Sequence, residues 1–284
     1  MRLSKLENYN ASGEQVVCAG FVYFSCAESR STYILESGKI SSQKVISLSS
    51  IDSGGEGLSE LSDLLQSVGQ DELIVVDISC IPRAIMAEIL YRISISKKIE
   101  INIIFLYAVA GFTEPKKLTT ANEAIEPVHQ RFSGWSTPET KPTSLVLGLG
   151  YEPHKAAGAS EYFEPSDQWV FVPSSPVKEF GVKVKENNSS ILTDTRRDRL
   201  IEYDVTDPEM TFGQLEMVIS ILLRQSNPIL LPFGPKIFFF LCLVHCFGHP
   251  ELGVWGFSTK TEAISPEVSA SDVLVGVLCQ FAME

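Results

Sequence analysis

Several features that mark well-known protein classes are missing from this sequence. No charged-then-apolar leader opens the chain, and its longest apolar run, Ile237 to Phe247, is far shorter than the ~20 residues that span a bilayer. Basic residues are in deficit, with 23 Lys and Arg against 35 Asp and Glu and a formal net charge of -12. An extended nucleic-acid surface needs many cations to neutralise phosphates, so this balance argues against one. We therefore expect a cytoplasmic protein without a membrane segment.

Common catalytic and cofactor motifs are missing as well. The sequence contains no Walker A motif, no Gly-x-Ser-x-Gly elbow and no His-Glu-x-x-His pair. Gly148-Leu149-Gly150 follows a strand-like run, as in the dinucleotide-binding fingerprint, but Pro153 occupies the position of the third glycine. No acidic residue ends the next strand at Val172. We therefore predict no NAD site and no other cofactor.

Cysteine is present but scattered through apolar segments, which predicts buried, reduced thiols. Cys242, His245, Cys246 and His249 have the spacing of one helical face. Four ligands on one short helix cannot surround a tetrahedral zinc ion, and structural zinc sites draw on two separated pairs. Packed core cysteines and a capping histidine are the interpretation we prefer, so no metal site is predicted.

What is present is the pattern of a folded α/β protein. With 284 residues, 44% of them hydrophobic and 20% charged, the chain is long enough for two compact domains or one large one. Continuously apolar strand runs alternate with amphipathic helices, as in mainly parallel sheets covered on both faces. We predict two Rossmann-like three-layer units with pseudo-duplicated sheets. Their predicted ranges are 1–112 and 144–284, joined by a proline-rich connection over 113–143.

The order of the elements within the two halves agrees. Strand, turn, helix and second strand follow one another around Glu28 in the first half and around Glu152 in the second. Pro82-Arg83 matches Pro235-Lys236 at a larger offset, which a polar insertion over 178–207 accounts for. The pattern favours a duplicated unit. Chance similarity between two βαβ units is the alternative.

The predicted turns after the strands carry the chemistry of the chain. Ligands of parallel sheets bind at the carboxyl ends of the strands, and a helix amino terminus beside a cation attracts phosphate or carboxylate groups. Two such pockets would suit a ligand with two or more phosphates. The alternative is that the cations lie on exposed helix starts while Glu28 and Glu152 complement the helix dipole. The candidate ligand-binding residues are Glu28, Arg30, Ser31, Ser79, Arg83, Gly148, Gly150, Glu152, His154, Lys155, Gly234 and Lys236.

Asp77 is the candidate for catalysis, because it ends a buried strand and is followed by Ser79 and Arg83. A carboxylate at that position could act as a base, a metal ligand or a nucleophile. It could equally accept hydrogen bonds from the turn that follows it, as strand-end carboxylates commonly do. The second half has Leu231 or Pro232 at the matching place, which favours the structural interpretation.

The segments Gly148–Ser175 and Gly234-Pro235-Lys236 resemble the CARF-type Rossmann domains of prokaryotic defence systems. The resemblance covers about 144–258, with a partial echo in 24–107. It implies a sensor of cyclic oligoadenylates, with a ligand loop after the first strand and a Gly-Thr-Lys-like turn opening a later helix. The present sequence has Pro235 where that turn holds threonine. No attached nuclease, protease or HEPN domain is visible in the sequence.

These observations favour a ligand-sensing or regulatory subunit. It would bind a phosphate-bearing, nucleotide-type molecule across the two halves and act through a protein partner, an effector, or as a homodimer. One alternative is an enzyme acting on a nucleotide or phosphorylated metabolite, with Asp77 or Glu152 as acid or base and His154 and Lys155 stabilising charge. Another is a structural partner in a protein complex, suggested by the acidic composition and the apolar stretch Val273 to Phe281.

Overall fold

The computed structural model describes residues 2–5, 16–24, 40–49, 55–96, 100–113, 124–134, 141–258 and 269–282. The chain forms two compact α/β units. The first comprises Met1–Gly111 with Ser265–Glu284, and the second comprises Phe112–Ile264. Each is built on a mainly parallel sheet with six described strands, which confirms the predicted fold class. No helix among the described residues is long and apolar enough to cross a membrane.

The first unit orders its strands β1-β12-β5-β4-β2-β3. Strands β3, β2, β4 and β5 are mutually parallel, whereas β12 runs antiparallel to β5 and β1. Strand β4 lies inside the sheet and all its residues after Leu73 are buried, which explains its continuously apolar sequence. The bounds are β1 Arg2–Lys5, β2 Val16–Phe24, β3 Ile40–Leu48, α1 Glu56–Ser67, β4 Leu73–Asp77, α2 Arg83–Ser94, β5 Glu100–Ala110 and β12 Ala270–Ala282.

The second unit orders its strands β6-β11-β10-β7-β8-β9. All are parallel except β6, which is antiparallel to β11. The strand bounds are β6 Ala124–Pro127, β7 Thr143–Gly148, β8 Asp167–Ser174, β9 Leu200–Asp204, β10 Asn227–Pro232 and β11 Gly253–Ser258. The helices are α3 Lys155–Phe163, α4 Lys178–Asn187, α5 Ser189–Asp194, α6 Pro208–Leu222 and α7 Lys236–Gly248, with short 3-10 turns at Gln130–Phe132 and Arg197–Arg199.

Helices cover both faces of the second sheet. On one face, alternate residues of β7, β8 and β10 form an apolar cluster with Ala156 of α3, Val184 of α4 and Ile191 of α5. On the other face Phe238 of α7 packs against Phe171 of β8, with ring centroids 5.3 Å apart. Ten consecutive residues of α7 are buried, so this helix is apolar on all sides rather than amphipathic.

The two sheets share one arrangement of strands. The run β12-β5-β4-β2-β3 of the first unit has the same spatial arrangement as the run β6-β11-β10-β7-β8 of the second, although β12 follows its parallel strands in the chain and β6 precedes them. In both, the first strand of the run is antiparallel and the other four are parallel. The predicted insertion over 178–207 supplies α4, α5 and β9, and it adds β9 to the far edge of the second sheet. The pseudo-duplication is therefore visible in topology.

Two segments belong to different units from those that the sequence predicted. We expected 113–143 to be a connection, whereas β6 and the 3-10 turn Gln130–Phe132 join the second unit. We expected 144–284 to form the second half, whereas β12 returns to the first sheet and pairs with β5. The apolar stretch Val273 to Phe281, which suggested a partner surface, instead belongs to that strand. Its Val277 and Cys279 are fully buried because they pack in the core.

Candidate functional site

The order of strands reverses between β7 and β10 in the second sheet. The chain leaves β7 towards β8 and leaves β10 towards β11, so the two connections diverge from adjacent parallel strands. In sheets of this kind, ligands bind in the crevice outside the carboxyl ends of those two strands. The turns at that crevice are the segments 149–154 and 233–235. They contain most of the candidate residues of the second half.

The backbones of these two turns lie in contact. A Cβ atom on Gly150 would stand 2.5 Å from the carbonyl oxygen of Phe233, and one on Gly234 would stand 2.4 Å from that of Leu149. The amide of Phe233 also donates a hydrogen bond of 2.9 Å to the carbonyl of Gly148. The glycines are therefore required by the packing of one turn on the other. Together the turns form a single backbone platform at the edge of the sheet.

Aromatic side chains pack against this platform. The ring of Tyr203 lies 4.8 Å from that of Phe238, and Phe238 in turn packs on Phe171. Gly148 leaves room for Phe238, because a Cβ there would come within 2.4 Å of the ring. The hydroxyl oxygen of Tyr203 would stand 3.3 Å from a Cβ on Gly234. Packed aromatic rings thus lie directly against the glycines at the end of β7 and in the 233–235 turn.

Two asparagines hold the turn after β7. Asn188, which is buried, donates from Nδ2 to the carbonyl of Gly150 at 2.8 Å. Asn187 donates to the carbonyl of Tyr151 at 2.5 Å. Sequence reasoning did not single out either residue for this site. Their only signal was a pair of adjacent asparagines at the junction of α4 and α5, within the segment interpreted as an insertion.

The two candidate lysines of the second half are the first residues of helices. Lys155 opens α3 and forms an ion pair with Glu152, so its charge is already partly compensated. His154 precedes it with φ 66°, a left-handed conformation that is uncommon for a residue other than glycine. Lys236 opens the buried helix α7, directly after the platform residue Gly234. Lys236 is half-buried.

The first unit has the same helix start after β4. Pro82 precedes α2 with φ -57° and ψ 147°, and Pro235 precedes α7 with φ -54° and ψ 146°. Arg83 and Lys236 are then the first residues of their helices. The predicted match of Pro-Arg with Pro-Lys is therefore present in both topology and backbone conformation. The remaining candidates of the first half, Glu28, Arg30 and Ser31, lie outside the described residues.

Asp77 is fully buried at the carboxyl end of β4. Its Oδ1 accepts a 2.9 Å hydrogen bond from the amide of Ser79, which is the turn contact that the sequence analysis weighed against catalysis. The hydroxyl of Ser79 is buried as well, and its oxygen accepts a 2.8 Å bond from the amide of Ala108. Asp77 therefore builds the turn, and Ser79 ties that turn to β5.

A second cluster of cations lies at the opposite edge of the second sheet. A cleft of about 380 Å³ opens near the amino ends of the strands, beside Asp167, Arg196 and Arg199. Arg199 donates to Asp167 at 3.1 Å, and Arg196 donates to both oxygens of Asp198 at 3.0 and 2.7 Å. Both arginines already have carboxylate partners. This edge is also the one that ligands of parallel sheets do not use.

The thiols of α7 are core residues. Cys242 and Cys246 are buried, and burial raises the pKa of both, that of Cys246 to about 12. His245 is buried too, and His249 lies at the carboxyl end of the helix. In the part of the chain that the structure describes, no three His, Cys, Asp or Glu side chains are grouped to hold a metal ion.

No protein-family model and no curated protein matches this chain. The platform at the β7–β10 edge offers backbone turns, the amino terminus of a buried helix and the half-buried ammonium of Lys236. That combination can bind an anionic group.

Proposed function

We propose that the protein is a ligand-sensing or regulatory subunit that binds a phosphate-bearing, nucleotide-type small molecule. The observation that carries this proposal is the repeated Pro-cation helix start, at Pro82-Arg83 and Pro235-Lys236, with nearly the same backbone dihedrals in both units. In each unit this start follows a strand that borders the reversal of strand order. Both starts thus have the same backbone conformation and lie where parallel sheets bind their ligands, which supports a common anion-binding role.

The electrostatics of the α7 start support an anion. A helix amino terminus carries about half a positive charge, and its first amides have no acceptors within the helix. Ten consecutive residues of α7 are buried, so this charge is less screened by solvent than on an exposed helix. Lys236 adds a full positive charge at the same place. A phosphate group supplies both the negative charge and the several acceptor oxygens that such a position can bind.

A binding role fits this edge better than a reaction. The platform consists of backbone turns that the glycines and the two asparagines hold in place. In the first unit, the buried candidate Asp77 accepts a hydrogen bond from its own turn, which favours a structural role for that carboxylate. The resemblance of 148–175 and 234–236 to CARF-type domains also supports a binding role. Within the proposal, a cyclic oligonucleotide signal of a prokaryotic defence system is the ligand to test first.

Titration calorimetry on the whole chain tests this proposal. The ligands are inorganic phosphate, adenosine mono- and diphosphate, and cyclic di-, tri- and tetra-adenylate. We expect at least one nucleotide to bind and Lys236→Gln to weaken it roughly 10- to 100-fold, as expected when a charged hydrogen bond is lost. Lys141→Gln is the matched control, because Lys141 lies just before β7 at the opposite edge of the same sheet. It should leave the affinity unchanged.

Two results would count against the proposal. One is the absence of heat with every ligand of the panel. The other is binding that Lys236→Gln and Lys141→Gln weaken equally, because a loss shared by both edges would report net charge rather than a site. Release of a product from the nucleotide that binds would instead support the enzymatic alternative.

A further inference from the structure

Helix α6 presents an apolar stripe to solvent. Met210, Met217 and Ile221 are 62%, 50% and 42% exposed, although each is a large hydrophobic residue. Their spacing of seven and four residues places them on one face of the helix. Gly213 lies on the same face, and no heavy atom of another described residue lies within 4 Å of the position that its Cβ would occupy. We call these four residues the α6 stripe.

Packing among the residues that the structure describes does not account for the stripe. Glycine inside a helix costs roughly 1 kcal/mol relative to alanine, and here none of the described residues occupies the space that glycine leaves. The methionine side chains are flexible and apolar, which is typical of surfaces that contact another protein. The buried face of α6, with Leu215, Val218 and Leu222, already packs against the sheet unit. The stripe is thus a second apolar face with an indentation at Gly213.

The stripe is complementary to itself in an antiparallel arrangement. Consider a two-fold axis perpendicular to α6 at the level of residue 215. It places Met217 of each copy over Gly213 of the other copy. The same axis sets Met210 of each copy against Ile221 of its partner. A protruding side chain therefore meets the indentation twice, and two apolar side chains meet at each end. This is how one surface patch matches itself in an isologous dimer.

Charge follows the same symmetry. Arg224 lies just beyond α6 and is exposed, whereas the opposite end of the helix begins at the cap Asp207 and continues with the exposed Glu209. Among the described residues, neither Arg224 nor Glu209 forms an ion pair within the chain. The antiparallel arrangement brings Arg224 of each copy beside the acidic end of its partner. A parallel arrangement would instead bring like charges together at both ends.

We propose that the protein forms a two-fold symmetric homodimer through the α6 stripe, with the two α6 helices antiparallel and Met217 of each copy packed on Gly213 of the other. The dimer is independent of the ligand proposed above. It predicts a contact between two different positions rather than between equal ones, and that contact can be tested directly.

Sedimentation equilibrium of the whole chain is the first experiment. We expect a dimer at micromolar concentration, and we expect Met217→Glu to weaken it by roughly tenfold or more, because it places a charge at the centre of the contact. Val182→Glu is the matched control: Val182 is 59% exposed on helix α4 of the same unit, so the variant adds the same charge away from the stripe. Both variants should keep the wild-type circular dichroism.

Disulfide cross-linking tests the arrangement. A mixture of chains carrying Gly213→Cys and chains carrying Met217→Cys should form cross-linked pairs under mild oxidation well above the wild-type background, and neither variant alone should do so. A wild-type chain that stays monomeric at high micromolar concentration would overturn the proposal. A dimer that Met217→Glu leaves as tight as Val182→Glu does, or cross-links of each variant only with itself, would overturn it too.

Discussion

The Cα of Gly234 faces the carbonyl oxygen of Leu149 so closely that a Cβ atom would lie 2.4 Å from that oxygen. Gly150 stands in the same relation to the carbonyl of Phe233. The two contacts are reciprocal, and both involve backbone atoms that cannot rotate away. The glycines of the candidate site are therefore needed for the folded platform before any ligand binds.

Replacing Gly234 by alanine should accordingly destabilise the second unit. We expect Gly234→Ala to lower the free energy of unfolding by about 1–3 kcal/mol, as overpacking does in well-filled sites. Gly158→Ala is the control, since Gly158 lies inside α3 with no heavy atom within 4 Å of its Cβ position. That change should add about 0.5–1 kcal/mol through helix propensity. Urea denaturation measures both, and equal effects of the two variants would contradict the packing argument.

Two substitutions of Asp77 test whether its hydrogen bond to the turn or its negative charge matters for the stability of the fold. Asp77→Asn keeps an Oδ1 acceptor for the amide of Ser79, whereas Asp77→Ala removes it and leaves a buried donor without its partner. We expect the alanine variant to lose about 1–3 kcal/mol of unfolding free energy and the asparagine variant clearly less. If the asparagine variant lost as much as the alanine variant, the negative charge rather than the turn contact would be what matters. Urea denaturation at neutral pH compares them.

Strand β12 should be essential to the first unit. Phe281 is 2% exposed and its ring lies 6.5 Å from that of Phe105 in the neighbouring strand β5. Phe281→Ala should therefore cost about 3–5 kcal/mol, the usual loss for a buried phenylalanine. Val17→Ala is the control in the same sheet, because Val17 is 68% exposed, and it should change stability by less than about 0.5 kcal/mol. A small effect of Phe281→Ala would mean that β12 is a peripheral addition.

The parts of the fold that the sequence predicts well are those with a local signal. Strands β2 and β4 coincide with continuously apolar runs of the sequence, because a buried parallel strand is apolar throughout. Strand β12 has a similar run, yet its sheet could not be predicted, since its partner β5 is far away in the sequence. Strand β6 is only four residues long and contains Glu126 and Pro127, so its sequence has no strand pattern.

The candidate site also has features with a local sequence signal and features that depend on contacts between distant segments. Glycine turns and Pro-cation helix starts can be recognised along the chain, and the structure places Gly150 and Gly234 together at one edge. Their direct backbone contact could not be predicted, because it depends on how two strands far apart in sequence are paired. The support from Asn188 was missed for the same reason. Ligand binding by these residues stays a prediction.

A buried histidine lies between the helices on the other face of the sheet. His245 of α7 stacks on Phe212 of α6 with ring centroids 4.0 Å apart, and its Nδ1 lies 3.2 Å from a carboxylate oxygen of Glu216. The Nε2 of His249 lies 3.1 Å from both oxygens of the same carboxylate. Burial lowers the pKa of His245 to about 4, and the neighbouring carboxylate of Glu216 only partly opposes this effect.

This histidine should make the protein less stable in mild acid. In the unfolded chain its pKa has the ordinary value of 6.5, so between pH 6.5 and about 4 the unfolded state binds a proton that the folded state does not. The free energy of unfolding should therefore fall as the pH is lowered from 6.5 to about 4. The total loss is about 3 kcal/mol at 1.36 kcal/mol per pKa unit. His245→Asn keeps a donor near the Nδ1 position without a titrating group, so the part of the slope that His245 contributes should disappear. His129→Asn, a change at a histidine outside the helix pair, should retain it. Urea denaturation at a series of pH values measures the slope, and a His245→Asn variant with the wild-type slope would contradict this assignment.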